Sequence, residues 1–257
     1  MKKIFYLATI LVALNSCSRD NNESNPPEPP VPIKKLKTVN KDGNLYLKIY
    51  YDSSGKTTGN DMFKNGVLET RVLISYDSRN NPTIWNYYNA SGLRIYFYIF
   101  NFNIYNHIDQ RTTYSYNANT SSYDSSGFIT YTNNDSKNLN NLIKAEYFDS
   151  KWNPQSYYIV NYTDNLGSST TDFYNKIGTK TSVSTWVKDD KIAWDKVLDP
   201  FTYQHEHNNI SISTKDLVSG VSNGYTAAFT YDQYGYPLTA KYSYSNGTFI
   251  NYTFNWE

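Results

Sequence analysis

The chain has 257 residues, with 24 Lys and Arg against 23 Asp and Glu, and a single cysteine. Near-neutral charge without a basic cluster argues against a nucleic-acid surface, which needs phosphate-neutralising side chains gathered in a patch. One cysteine excludes an internal disulfide framework.

The N-terminus opens with Lys2 and Lys3, runs through apolar residues from Ile4 to Leu14, and reaches Cys17 through small or polar residues. This is the layout of an export signal, and its apolar stretch is too short to span a bilayer. Residues 1–16 are therefore read as a removed signal peptide. Leu14, Asn15, Ser16 and Cys17 resemble the lipobox of bacterial lipoproteins, in which cleavage precedes a cysteine that carries acyl chains. That resemblance implies lipidation at Cys17 and attachment to a membrane, since two or more chains anchor stably where one is marginal.

Residues 17–35 carry polar side chains and then Pro26, Pro27, Pro29, Pro30 and Pro32. Such a segment has too little apolar surface to pack and favours extended polyproline geometry. At about 3.1 Å per residue it is a tether reaching up to roughly 55 Å. The acidic and polar residues just after Cys17 loosely resemble the signal that sends Bacteroidetes lipoproteins to the cell surface. The implied location is the outer membrane, on the cell surface or its periplasmic face.

Residues 36–257 hold most of the 27 Tyr, 12 Phe and 5 Trp, among abundant Asn, Ser and Thr. Aromatic and β-branched residues suit a pleated surface, and Asn, Asp and Gly suit turns. Alternation is clear in Leu45, Leu47, Ile49, Tyr51 and in Ile250, Tyr252, Phe254, Trp256, each set interleaved with more polar residues. An aromatic-Asp pair followed at a fixed offset by proline recurs as Tyr76, Asp77, Pro82; Phe148, Asp149, Pro154; and Tyr231, Asp232, Pro237. Shorter units end in glycine: Tyr51, Asp52, Gly55; Tyr123, Asp124, Gly127; Asp164, Gly167; and Asp232, Gly235. Asp at the start of a turn bonds the amides ahead of it, glycine takes the left-handed position, and proline opens the next strand where a ladder donor is dispensable. Every aromatic-Asp pair is thus read as a turn, which leaves these aspartates no catalytic task.

The expected fold is all-β, an antiparallel meander of repeated hairpins forming a strongly curved sheet or a closed barrel, and soluble. Lipid-facing strands would show an unbroken apolar set at alternate positions. Thr112 to Tyr116, Tyr123 to Thr132 and Ala240 to Tyr244 do not. The aromatic run from Arg94 to Ile104 reads instead as a central strand buried on both sides.

These units resemble the YD repeats of bacterial surface proteins. The layout is similar to a family of Bacteroidetes lipoproteins of unknown function with a porin-like antiparallel β fold. The closest stretch is Asn208, Asn209, Ile210; then Tyr231, Asp232, Gly235, Tyr236, Pro237; then Asn246, Gly247 and the ending Tyr252, Phe254, Trp256. The resemblance implies a fold and supplies no catalytic residue.

Chemistry has few candidates. His205 and His207 flank Glu206, and on a strand both would project from one face, able to hold a divalent metal with a third ligand or simply to form a polar strand end. Asp189, Asp190 and Asp195 lie near Trp186 and Trp194, the kind of setting used in glycoside cleavage, but adjacent aspartates on a strand point opposite ways. There is no phosphate loop, serine elbow or cysteine nucleophile. No cofactor is expected. The leading expectation is a non-enzymatic envelope module binding a glycan or envelope protein through aromatic faces, with Trp85, Trp152, Trp186 and Trp194 as platforms. A structural or accessory subunit of an outer-membrane complex is the alternative, and a metal-dependent or carboxylate-based hydrolase the third reading.

Overall fold

A computed structural model describes residues 32–105, 107–133, 142–198 and 206–257, of which residues 33–257 form one unit. The signal peptide, Cys17 and nearly all of the tether lie outside the described residues. Strands follow one another in chain order: β1 (Leu36–Lys41), β2 (Asn44–Tyr51), β3 (Thr57–Lys64), β4 (Val67–Tyr76), β5 (Pro82–Asn89), β6 (Arg94–Phe102), β7 (Ile108–Asn117) and β8 (Ser122–Asn133). The second half holds β9 (Leu142–Phe148), β10 (Pro154–Tyr162), β11 (Ser169–Asn175), β12 (Lys180–Ile192), β13 (His207–Asp216), β14 (Ser222–Tyr231), β15 (Pro237–Tyr244) and β16 (Phe249–Trp256). Each pairs antiparallel with the next, and β16 returns to β1 to close a sixteen-stranded barrel. Val39 faces Phe254 and Lys41 faces Tyr252 across the seam. Lys35 and Glu257 extend it by exchanging two backbone bonds, of 2.8 and 3.0 Å. Closure leaves no unpaired strand edge.

The pleat then sorts the side chains. On β15 and β16, Ala240, Tyr242 and Phe254 are buried, whereas Thr239, Lys241, Asn251, Thr253 and Asn255 are exposed. The buried face packs with Leu36, Val39, Leu47 and Ile49 across the closed wall, so it is the lumen. A second cluster joins Val72, Trp85, Phe100 and Ile108. The outer face of β4 carries Glu69, Arg71 and Ser75, and Arg71 forks onto Asp61 at 2.7 and 2.8 Å while the Tyr50 hydroxyl donates to the same carboxylate at 2.8 Å. That guanidinium holds Asp61 below the ordinary carboxylate range. A Lys or Arg on a lipid-facing barrel wall costs about 2–4 kcal/mol at the bilayer midplane. Arg71 and Lys241 stand exposed on this outer wall, beside the exposed apolar side chains Val67, Leu73 and Phe249. Among the described residues no helix is long and apolar enough to cross a membrane.

The turns follow one local design. At Asp52, Asp77, Asp149, Asp164 and Asp232, one side-chain oxygen accepts the backbone N–H groups two and four residues ahead, at 2.8–3.0 Å. The residue three ahead takes positive φ, as at Gly55 (+87°), Asn80 (+66°) and Gly235 (+84°). Asn89, Asn103 and Asn175 build the same turn with an amide oxygen. The tyrosine of the repeat also has a task. The hydroxyls of Tyr51, Tyr76 and Tyr162 donate to the carbonyls of Leu36, Thr57 and Leu142, each at or beside the start of the preceding strand. Pro82, Pro154 and Pro237 open β5, β10 and β15, facing Tyr76, Phe148 and Tyr231.

Two sequence expectations are corrected. Tyr123, Asp124 and Gly127 form no turn, because all three lie within β8 and the chain reverses earlier, around residues 118–121. Gly127 is instead a bulge with φ +139°, where a Cβ would sit 2.4 Å from the Phe148 carbonyl oxygen. The aromatic run is not sandwiched between layers, since a closed barrel has a single wall. On β6 the inner face carries Tyr96, Tyr98 and Phe100, which pack into the lumen, while outward Phe97 is covered by neighbours in the same wall, stacking on Tyr114 at 4.8 Å beneath Arg94. Ile104 falls in the following turn and is 87% exposed.

Hydrogen bonds, foremost from the Ser54 hydroxyl at Asp52 and from the Asn81 amide at Asp77, hold these turn carboxyls below their ordinary value of 3.8. A carboxyl whose pKa falls on folding contributes stability that is complete above the unfolded value and lost as the pH drops through the folded one. Asparagine accepts the same amides without titrating. Asp52→Asn should thus lose less thermal stability than the wild type between about pH 5 and about pH 2, and Asp52→Ala should be weaker at neutral pH as well. Identical melting curves for all three proteins at every pH would contradict this role.

Candidate functional site

The four tryptophans do not converge. Trp85, on β5, is 8% exposed and packs edge-on to Phe100 in the second lumen cluster. Trp152 is 63% exposed and occupies the left-handed position (φ +65°) of the β9–β10 turn, its ring 3.9 Å from that of Phe128. Trp186 faces the lumen from β12. Trp194 follows β12 and lies over Tyr252 and Phe254, its indole N–H donating to the Tyr242 hydroxyl at 3.3 Å.

His205 and Cys17 lie outside the described residues. His207 opens β13, with its Nδ1 3.1 Å from the Lys191 carbonyl oxygen. Among the described residues no three His, Cys, Asp or Glu gather in a group able to hold a metal. Asp189 and Asp190 point opposite ways. Asp190 is exposed and paired with Lys191 at 3.2 Å. Asp189 turns inward and accepts the Asn208 backbone N–H at 3.1 Å, the Asn208 side-chain amide at 3.3 Å and the Tyr231 hydroxyl.

Asn208 is the centre of this knot and is 2% exposed. Its amide donates to the Ile192 carbonyl at 3.0 Å, and its oxygen accepts the Trp194 backbone N–H at 3.1 Å. Burial, with Asp189 alongside, pushes the Tyr231 hydroxyl well above its ordinary range. The knot fixes where β12 ends and turns the following segment into the barrel. There a short 3-10 turn, Asp195–Val197, sets Trp194 and Leu198 against the cluster of β1, β2, β15 and β16. This inward segment fills one side of the lumen.

The other side keeps a cavity of about 250 Å³ between β10, β11, β12 and β13. Tyr158, Tyr162, Phe173 and Trp186 give it ring faces, and Ser169, Thr171, Asn209 and Lys188 give it polar groups. Burial pushes the Lys188 ammonium down, against the opposing pull of Asp195, Asp164 and Glu206. Trp186 Nε1 and Asn209 Oδ1 are buried without a hydrogen-bond partner. The chamber has what a binding site needs, apolar faces with a few convergent polar groups. Of the candidate site residues singled out from sequence, only Trp186 belongs to it; Asn209 and Gly167, noted there for the repeat, line it too. The others could be found only once the strands of a closed barrel were placed, because they come from four strands and share a face through register.

No protein-family model matches the chain, and no curated protein is similar to it in sequence. Among solved structures, a porin-like protein from Bacteroides uniformis is similar with a TM-score of 0.55 at 12% identity, covering 89% of this chain and 98% of that one. A porin-like protein from Bacteroides vulgatus reaches a TM-score of 0.40 at 10% identity, over 86% of this chain and 97% of that one. A Bacteroides fragilis protein of unknown function reaches 0.20 at 10% identity, over 64% and 84%. Only the first carries weight, and what it shares with this chain is the fold, a closed antiparallel barrel of the porin-like kind.

Removing the amide at the centre of the knot leaves buried donors and acceptors unpaired, each worth about 1–3 kcal/mol. Asn208→Ala should lower the unfolding free energy from urea titration by about 1–3 kcal/mol and shift tryptophan emission to the red as Trp194 loosens. Unchanged stability and emission would show that the inward segment is held by its apolar contacts alone.

Proposed function

We propose that this chain is a non-enzymatic lipoprotein of the cell envelope, held at the outer membrane by lipid on Cys17, whose barrel takes a glycan or another small envelope ligand into its lumen. The single observation that carries this reading is the chamber between β10 and β13. Its aromatic faces and scattered hydroxyl and amide groups are what a polar ring with apolar faces requires. The polar outer wall agrees with a container standing in water beside a membrane rather than a pore within it. The export signal, the lipobox-like residues and the proline tether support the anchor. The porin-like barrel of the Bacteroides uniformis protein supports an envelope setting.

A second reading, an accessory subunit of an outer-membrane complex, is favoured by Trp152. A bulky side chain in the left-handed region costs strain and persists where the surroundings impose it, and this one is displayed on a turn tip.

Both readings meet in one experiment. The full chain is purified from bacterial membranes and analysed by native mass spectrometry beside Cys17→Ser and Trp186→Ala. The expected result is a small molecule carried by the wild type and lost in Trp186→Ala, with Cys17→Ser released from the membrane fraction. A stoichiometric protein partner with no small molecule would favour the accessory subunit and overturn the lumen reading.

A further inference from the structure

Because each strand pairs antiparallel with the next, the turns after odd-numbered strands gather at one rim of the barrel and those after even-numbered strands at the other. The two rims differ. Lys35 and Glu257 meet at the second, the tether rim, where Asp52, Asp77, Asp164 and Asp232 open the turns. At the first, the far rim, large apolar side chains stand in solvent at or beside the turn tips: Val67 after β3, Trp152 after β9, Ile177 after β11, Val218 after β13 and Phe249 after β15. Ile177 and Val218 are 78% and 85% exposed, so packing within the barrel does not account for them.

Each of the first four has a lysine within three residues: Lys64, Lys151, Lys176 and Lys215, all exposed. Phe249 lies under Lys241, whose Nζ is 4.9 Å from the ring centre. None of those four rim lysines is held in an ion pair among the described residues. The carboxylates of the far-rim turns, Asp42, Asp149 and Asp216, are turned back onto the backbone N–H groups of Asn251, Lys151 and Val218. The tether rim also exposes Ile104, Tyr105, Leu166 and Tyr234, but no lysine belongs to those three turns. Just inside the far rim the outer wall adds half-buried rings, with Tyr157 stacked on Tyr174 at 4.6 Å and Lys144 4.9 Å from the Tyr157 ring. These two face outward because their neighbours Tyr158 and Phe173 line the lumen.

Apolar tips, flanking lysines and rings with polar edges suit a lipid headgroup layer. The apolar groups reach the acyl boundary, lysine stems lie beside them with the ammonium at the phosphates, and Tyr and Trp sit at headgroup level. A protein partner fits less well. Lysine is depleted from protein interfaces, and the tips at Trp152, Ile177 and Val218 stand two strands apart, about 10 Å, instead of forming one continuous patch.

The chain preceding the barrel says which membrane is within reach. It leaves from the tether rim, where Lys34 pairs with Asp232 at 2.5 Å. Residues 17–35 extend to roughly 55 Å. Strands of eight to ten residues, such as β2, β4, β5 and β7, tilted by about 40°, make a wall about 20–25 Å tall. The tether can therefore run the height of the wall and leave the far rim on the membrane that holds Cys17. Tethering also raises the local concentration, so a weak contact suffices.

We infer that the far rim of the barrel docks on an anionic phospholipid surface, with Trp152, Ile177 and Val218 entering the headgroup layer and their flanking lysines meeting its phosphates. The inference rests on the membrane anchor of the reading above and not on its lumen ligand. The contact is shallow and leans on headgroup charge, so a neutral micelle gains little from it.

Residues 33–257 contain both core clusters and the β1–β16 seam, so this fragment holds its own fold. It is titrated with vesicles of phosphatidylethanolamine and phosphatidylglycerol whose acyl chains carry bromine, and contact is read from quenched tryptophan emission; brominated phosphatidylcholine vesicles are the comparison. The anionic vesicles should bind about tenfold or more tightly than the neutral ones, and concentrated salt should erase the difference. Trp152→Phe should remove most of the quenching. Ile177→Ser and Val218→Ser, which alter exposed tips, should each weaken binding by about threefold or more with melting temperature unchanged. Ile104→Ser, as exposed but on the tether rim, should bind as the wild type does. Absence of quenching at every lipid concentration would overturn the inference, as would binding equally sensitive to Ile104→Ser. A stable dimer of the fragment that Val218→Ser dissolves, with no vesicle contact, would assign the rim to protein instead. Each of these failures leaves the anchor and the lumen readings standing, since the fragment lacks Cys17 and the chamber is unaltered.

Discussion

One side-chain oxygen accepting two backbone amides organises this barrel. At Asp52, Asp77, Asp149, Asp164 and Asp232, and again at three asparagines, that pair of bonds sets a reversal of fixed length. Fixed length means fixed register, and a slip of one residue would turn every side chain of a strand to the opposite face. The tyrosine hydroxyls of the repeat reinforce the register by reaching the preceding strand at Leu36, Thr57 and Leu142. Only because the turns hold does a strand such as β16 send Tyr252 and Phe254 one way and Asn251, Thr253 and Asn255 the other.

Closure converts that sorting into a chamber. Once β16 pairs with β1, the inward faces of the strands look at one another. The lumen is packed where rings meet, as around Tyr242, Tyr252 and Phe254. It is further filled where residues 193–198 fold inward over the Asn208 knot. What stays open is bounded by Trp186 and its neighbours. A membrane pore of similar topology would place its apolar side chains outward and its polar ones around the channel. On β4, β15 and β16 that distribution is inverted, with Glu69, Arg71, Lys241 and Asn251 outside and Val72, Ala240, Tyr242 and Phe254 turned inward.

The sequence made the repeat legible because its chemistry is local. Tyr76, Asp77 and Pro82 lie within one turn, and their spacing alone states what each does. The asparagine turns at Asn89, Asn103 and Asn175 escaped notice because asparagine is common throughout the chain and lacks a distinctive partner in sequence. Tyr123, Asp124 and Gly127 misled for the opposite reason: the pattern is present, but Gly127 serves a bulge and the close approach of the Phe148 carbonyl. The candidate site was legible only at Trp186. Tyr158, Ser169 and Phe173 join it through pairings between strands, and nothing local marks them. The inward path of Trp194 was equally hidden, because it depends on Asn208 and Asp189 meeting across a gap in the β12–β13 register.

Phase partitioning of residues 33–257, without lipid or tether, puts the inverted polarity to a direct trial. In a detergent solution warmed to separate, a folded barrel with Arg71, Lys241 and the Asn and Thr rows outside should remain wholly in the aqueous phase with its β-sheet circular dichroism intact. Recovery of folded protein in the detergent phase would mean that the outer wall faces lipid, and would contradict the reading of this barrel as a water-standing container.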